Sequence, residues 1–361
     1  MTETKKSRVL IGMSGGVDSS SAAALLVGQG YEVIGITLRL WPQGCGTQGD
    51  RTCCGPEAVA DARTVCHNLG MPFYFLDEEP VFRQKVITYF AEEYKAGRTP
   101  NPCVLCNEHV KFAQLLKRAD LLDAEFIATG HFARVENHDG RYWLKRGRDL
   151  KKDQSYFLFT LKQTQLARTL FPLGDMTKAE SREISRTHAL PTAEKAESME
   201  ICFVPDKDYG KFLQQENLVQ KHIGDIVDLQ GRKLGEHEGI AFYTIGQRRG
   251  LRVSHPEPLY VLDLDAEHNR VVVGPASHLD QDELLVERCN WIPFETPPAS
   301  LEVTAKIRYN HLGSPATVTP LPDGQARVKF TTPQRAISPG QACVFYQADL
   351  VVGGGWIKKQ A

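Results

Sequence analysis

The sequence predicts an α/β protein: a parallel sheet with helices on both faces, followed by a β-rich second half. Three observations carry this. Short apolar, β-branched runs alternate with helix-spaced segments as far as Gly130. The first strand-to-helix junction is a glycine-rich turn. Beyond about Gln220 the pattern shifts to short strands punctuated by tight turns.

Arg8-Val9-Leu10-Ile11 reads as a buried strand, and Ser21 to Leu26 as a helix. Between them lies Gly12-Met13-Ser14-Gly15-Gly16-Val17-Asp18-Ser19-Ser20. Backbone N–H groups converge at such a helix start and favour an anion. The glycines permit close approach of a ligand, and the serines add hydroxyl donors. A phosphate is the natural guest. The spacing is neither that of a Gly-Lys-Ser/Thr loop nor that of a dinucleotide fingerprint. Asp18 is out of place in an anion site unless a cation comes too, and Mg²⁺ bridging Asp18 and pyrophosphate answers that.

Tyr31–Leu38 reads as the second strand and Glu57–Leu69 as a helix. A Gly- and Cys-rich loop, Trp41 to Pro56, separates them. Met71–Leu76 is a third strand, Val81–Tyr94 one helix, Thr99–Cys106 a rigid connector, Glu108–Ala119 a helix and Phe126–Gly130 a fourth strand. In such sheets ligands sit beyond the carboxyl ends of the strands, where the glycine loop, Thr37-Leu38 and Gly130-His131 all fall. From Arg141 to Lys152 there are six basic residues and one acid, which alone reads best as a solvated turn. Glu180–His188 is a further helix. From Leu284 the chain alternates, turns at Asp323-Gly324 and Ser338–Gln341, and reads as a small barrel. Arg248, Arg249 and Arg252 form a small basic cluster.

The 361 residues suffice for two or three domains, expected at 1–215, 216–280 and 281–361. The formal net charge of -1 gives nucleic-acid binding no global support, so local patches must carry it. No apolar run is long enough for a membrane span and the N-terminus is polar, so a cytoplasmic protein is expected, and it is taken to be a monomer. Nine cysteines exceed packing needs, and thiol chemistry or metal ligation is the question they raise. Cys103 and Cys106 form a Cys-x-x-Cys pair ahead of an expected helix, where a thiol pKa falls. A redox pair, half of a metal or iron–sulfur site, and a single catalytic thiol all remain open. Cys202, among Ile201, Phe203 and Val204, reads as a core residue, as do Cys66, Cys289 and Cys343. Cys53 and Cys54 are adjacent and Cys45 lies among glycines, with no chemistry assigned.

Taken in order, these elements resemble a known family. Ser14–Ser19 looks like the PP-loop of the N-type ATP pyrophosphatases. Asn101–Asn107, Ala128–His131, Lys152–Tyr156 and Ile201–Phe203 resemble the tRNA-specific 2-thiouridylases. The likeness extends through Lys306–Tyr309 to Pro339-Gly340-Gln341. It implies an adenine nucleotide alpha hydrolase-like domain, a small β-rich central domain and a C-terminal β-barrel. It also implies a reaction on uridine 34 in the tRNA anticodon stem-loop. ATP with Mg²⁺ adenylates the C2 oxygen, and a persulfide sulfur, supplied by a donor or relay protein, then displaces AMP.

By the same resemblance Cys202 carries the persulfide and Cys106 is its nucleophilic partner. Gly12, Met13, Ser14, Gly15, Gly16, Val17, Asp18 and Ser19 hold the phosphates, with Leu38 and Gly130 near adenine. Asn101, Pro102 and Cys103 face the target base. His131, Lys152, Asp153, Gln154, Arg308, Tyr309 and Gln341 contact tRNA. Many relatives have aspartate where this chain has Cys103. That departure leaves a second arrangement open, a [4Fe-4S] cluster on Cys103, Cys106 and Cys202. A PP-loop enzyme adenylating a small metabolite would not need the paired thiols and the basic strip. An RNA-binding or sulfur-carrier module would show no tRNA-dependent pyrophosphate release.

Overall fold

The computed structural model describes residues 6–40, 55–196, 201–204 and 208–359. The cysteines Cys45, Cys53 and Cys54 lie outside them. The chain divides into two compact units. One holds residues 1–86, 103–207 and 349–351, and the other 87–102, 208–348 and 352–361.

In the first unit, β1 (Arg8–Gly12) runs into the glycine loop and α1 (Val17–Gly28). Then come β2 (Glu32–Arg39), α2 (Pro56–Asn68) and β3 (Phe73–Asp77). β4 (Phe126–Ala128) lies on the other side of β1. With β7 (Thr169–Leu170) the order is β3-β2-β1-β4-β7, all parallel, as the alternating pattern requires. α1 is rich in Ala and Ser because it is covered on both sides. Val9, Ile11 and Val33 lie in its core cluster, and Ser21 bonds to Ser181 O (2.5 Å) and Ser185 Oγ (2.8 Å) of α8 (Lys178–Thr187). Thr177 and Glu180 close a capping box that starts α8 ahead of its expected first residue.

Three expectations are corrected. The helix expected over Val81–Tyr94 is broken into α3 (Glu79–Phe82), a π-wound stretch Arg83–Ile87 and α4 (Thr88–Lys95). The expected connector Thr99–Cys106 is helical from Pro102 onward: α5 (Pro102–Leu105) leads into a π-wound segment, Cys106–Phe112, and then α6 (Ala113–Leu121). Proline suits a first helical position, because its missing N–H has no partner there anyway. The basic run beginning at Arg141 is partly a strand: β5 (Ala133–His138) and β6 (Arg141–Arg146) form a hairpin through Asp139 (φ +50°) and Gly140 (φ +86°).

The second unit contains α4, whose Tyr94 stacks on Tyr209 at 4.3 Å, and α9 (Tyr209–Gln215). Its smaller sheet pairs β8 (Gly224–Val227) with β9 (Lys233–His237), and β10 (Tyr260–Asp265) with β11 (Arg270–Gly274). Its core includes Ile226, Val261, Leu264, Val271 and Val273. The last six strands are β12 (Asp280–Trp291), β13 (Leu301–Lys306), β14 (Ser314–Leu321), β15 (Gln325–Arg335), β16 (Ala342–Gln347) and β17 (Leu350–Ile357). They run β12-β15-β14-β13-β16-β17, and β17 pairs back on β12 to close the barrel. The Asp323-Gly324 turn is where the sequence places it, with both residues at positive φ.

Candidate active site

From β1 the chain winds one way to β2 and β3, then returns to β4 on the opposite side of β1. The carboxyl ends of β1 and β4 therefore part at a topological switch point, and a cavity opens there. Gly12, Met13 and Ser14 line it from the end of β1, with Asp18 and Ser19 from the start of α1. Ile36, Leu38 and Leu40 form an apolar wall. Thr129, Gly130 and His131 follow β4, and Gln154 adds an amide. Lys111 and Leu115 come from the helical run that begins at Pro102.

Two glycines are obligatory by space. Gly15 has φ +66°, and a Cβ there would lie 2.1 Å from the Ala58 carbonyl oxygen. At Gly130 a Cβ would lie 2.7 Å from the Asp18 carbonyl carbon and the Ser19 nitrogen. β4 thus meets the N-terminus of α1 backbone to backbone. Ser19 shapes the loop, accepting from the Ser14 N–H (3.2 Å) and donating to Gly16 O (3.1 Å). Thr37 Oγ1 donates to Met13 O at 2.8 Å. No side chain caps α1 at Gly16, so its first N–H groups remain available to an anion.

The carboxylate within this anion site is answered by a lysine. Lys178 Nζ lies 2.5 Å from Asp18 Oδ1, and the Lys178 side chain is 11% exposed. Ser181 Oγ adds a 3.4 Å contact to the same oxygen. Lys195 donates to Gly15 O (3.0 Å) and Asp61 Oδ2 (2.6 Å), tying loop and α2 to the segment ahead of Cys202.

Cys106 is buried at the start of the π-wound segment, while Cys103 and Cys202 are half-buried. Phe203 meets Phe82 edge to face at 5.6 Å, and α3, which carries Phe82, packs against the segment Cys106–Phe112. The residue after Cys202 thus packs on α3, the helix that neighbours the segment opened by Cys106. Burial pushes the Cys66 and Cys289 thiols up to about 12 and Cys343 higher still. Those three stay protonated and inert.

Several expected tRNA contacts have structural partners. His131 is buried, with Nδ1 2.7 Å from Thr129 Oγ1 and its ring stacked on Phe112 at 6.0 Å. Burial first, then the Lys111 charge, lowers its pKa to about 3, so it is a neutral wall of the cavity. Asp153 is buried and accepts from the N–H groups of Gly147 (3.3 Å) and Ser155 (3.0 Å). Gln154 Oε1 accepts from the Phe132 N–H at 3.0 Å. Lys152 is half-buried, and Arg146 and Arg148 of the basic run pair with Asp153 and Glu180. Arg308 is exposed, and Tyr309 lies under the Lys306 ammonium at 5.6 Å. Gln341 Nε2 donates to Thr99 O (3.1 Å) and Pro100 O (3.0 Å), immediately before the buried Asn101 and Pro102. Lys111, Lys178 and Lys195 were missed from sequence, since a lone lysine carries no motif. The Thr177–Glu180 spacing fits a capping box and could have placed Lys178 in the first turn of α8.

Among the described residues no three His, Cys, Asp or Glu side chains gather as metal ligands. Among the described residues no such ligand group brings Cys103, Cys106 and Cys202 together. Three thiolates hold an iron–sulfur cluster only if their sulfurs converge. Among the described residues no helix is long and apolar enough to cross a membrane.

Residues 7–206 match the family model described as a tRNA methyl transferase HUP domain. Residues 210–275 match a tRNA methyl transferase PRC-barrel domain, and 281–357 an aminomethyltransferase beta-barrel domain. The chain is 52% identical to the tRNA-specific 2-thiouridylase MnmA of Geotalea uraniireducens, covering 98% of this chain and 96% of that one. It is 51% identical to the protein of that name from Magnetococcus marinus, over 98% and 99% of the two chains. Identity to the tRNA-specific 2-thiouridylase MnmA 1 of Thermoanaerobacter pseudethanolicus is 48%, over 99% of each.

Proposed function

The chain belongs to the tRNA-specific 2-thiouridylase family, and from that premise we propose how its residues divide the reaction. It is an ATP-dependent tRNA sulfurtransferase that converts wobble uridine 34 to 2-thiouridine. One observation carries the assignment of parts: the helical run holding Cys103 and Cys106 continues into the wall of the cavity formed by the glycine loop. A nucleotide and a thiol are thereby served by one continuous element.

ATP enters the cavity with adenine against Leu38 and Gly130 and its phosphates on Gly12–Ser19. Asp18 is the oxygen donor the chain offers to Mg²⁺, which, arriving on the phosphates, would neutralise part of their charge. The uracil O2 attacks the α-phosphorus, pyrophosphate leaves, and the N3 proton passes to water. The terminal sulfur of a Cys202 persulfide then attacks C2, and AMP departs with the C–O electron pair. Cys106 attacks the inner sulfur of Cys202 and breaks the S–S bond, leaving a Cys106–Cys202 disulfide that a dithiol reductant must reopen. Asn101, Pro102 and Cys103 face the base, and Lys152, Arg308 and Tyr309 contact the RNA. The division at 1–215, 216–280 and 281–361 is part of this reading, supported by family-model matches ending near those limits. A reducing cytoplasm suits this thiol chemistry.

The test is thiolation of unmodified tRNA with ATP, Mg²⁺, a persulfide donor and a dithiol. Cys106→Ala and Cys202→Ala abolish 2-thiouridine, Cys202→Ala still releases tRNA-dependent pyrophosphate, and Cys103→Asp stays within about tenfold of the parent, a tolerance of roughly 1.4 kcal/mol in barrier. Thiolation by Cys202→Ala at the parent rate refutes the persulfide assignment.

A further inference from the structure

We propose that Lys111 is a catalytic residue of the adenylation step, its ammonium binding the α-phosphate of ATP as the uracil oxygen attacks. This rests on the assignment of the cavity to ATP. Lys111 lines that cavity together with Leu115 and His131. It lies five residues after Cys106, within the single π-wound segment Cys106–Phe112. In an α-helix a separation of five turns a side chain about 140° away from its predecessor. In π-winding the i→i+5 hydrogen bond sets the two about one turn apart, on one face. The extra residue in the turn thus brings positions 106 and 111 toward one side of the helix.

Position along the nucleotide selects the α-phosphate. The apolar wall of Ile36, Leu38 and Leu40 suits adenine, while the Gly12–Ser19 loop, with Asp18 and Lys178, suits the terminal phosphates. The phosphorus that must meet the base is the one between those ends, and the base must also meet Cys106. A cation sharing a helix face with Cys106 and reaching the nucleotide cavity meets that phosphorus. Its neighbour His131 is held neutral by burial, which leaves Lys111 as the cationic side chain of that wall.

The step balances without Lys111 losing its proton. The bond from uracil O2 to the α-phosphorus forms, and the bond to the bridging oxygen breaks. Its electron pair leaves on pyrophosphate, and the N3 proton goes to water. The five-coordinate phosphorus carries extra negative charge at its equatorial oxygens, where a fixed cation in a partly desolvated cavity is most effective.

The experiment measures tRNA-dependent pyrophosphate release and equilibrium ATP binding for the parent, Lys111→Met, Lys111→Ala and Lys111→Arg. Lys111→Met keeps the aliphatic stem should Lys111→Ala fail to fold, and thermal melting checks each variant. The expected result is a kcat loss of about 100-fold or more for Met and Ala, the scale of removing one transition-state donor. ATP binding stays within about fivefold, and Lys111→Arg recovers most of the rate because the charge is kept. Pyrophosphate release by Lys111→Met within about threefold of the parent overturns the proposal. So does a loss confined to ATP binding with kcat unchanged, the mark of uniform binding. Leu38→Trp, which fills the cavity, separates this failure from failure of the ATP assignment. It must abolish ATP binding, and persistence of binding overturns the cavity assignment together with this inference.

Discussion

Alanine at Gly15 and at Gly70 separates two costs that usually come together. Both residues have φ +66°, but a Cβ at Gly70 meets nothing within 4 Å, whereas at Gly15 it falls 2.1 Å from Ala58 O and 2.7 Å from the Ala58 carbonyl carbon and Cα. The left-handed conformation costs about 1–2 kcal/mol at either site, partly offset by about 0.4–1 kcal/mol from a stiffer unfolded chain. Gly70→Ala is therefore expected to lose about 1 kcal/mol or less. Gly15→Ala adds an overlap with backbone of α2, which no rotamer change relieves. Overpacking typically costs about 1–3 kcal/mol, and a backbone partner puts this case at the upper end. The expected difference between the two variants is thus about 2–3 kcal/mol. Urea unfolding followed by circular dichroism gives that difference, and ATP binding should weaken only in Gly15→Ala. Equal stability within about 0.5 kcal/mol, the usual size of neutral changes, would mean that α2 yields freely and that its contact does not fix the loop.

Two further outcomes follow from the same geometry. Gln341→Ala removes both hydrogen bonds to Thr99 and Pro100; at about 1 kcal/mol each, 2-thiouridine formation should fall roughly tenfold or more while ATP binding is unchanged, and an unaffected rate shows that the clamp is dispensable. His131 has a folded pKa of about 3 against 6.5 in the unfolded chain, so its contribution is complete above pH 6.5 and is lost as pH falls toward 3. Replacing it by Phe should flatten the acid limb of stability by up to about 1.4 kcal/mol per pH unit, and an identical limb in both proteins contradicts the burial of a neutral ring.

The parallel sheet was legible because each of its longer strands is a compact apolar run, and because Gly12–Ser19 carries its own spacing. The β5–β6 hairpin was not read, although Asp139-Gly140 is the same signal as Asp323-Gly324, which was. The six basic residues beyond it drew the reading toward a solvated turn. The π-winding at Cys106 was not read from periodicity, because Cys106–Phe112 is too short for its changed period to stand out. Side-chain partnerships were the least accessible. The resemblance names Gln341 as an RNA contact, and nothing local foretells that its Nε2 donates to carbonyls 241 and 242 residues away. Lys178 finds Asp18 across 160 residues. No local pattern encodes such a meeting.

That last pair bears on which anions the loop admits. An ion that draws Lys178 toward itself strips Asp18 of its positive companion and leaves a carboxylate facing a second negative group. Free inorganic phosphate offers nothing in exchange. A polyphosphate already carrying a divalent metal brings a replacement charge with it. On the proposed assignment of this loop to nucleotide phosphates, the internal salt link would favour a metal-laden polyphosphate over bare phosphate.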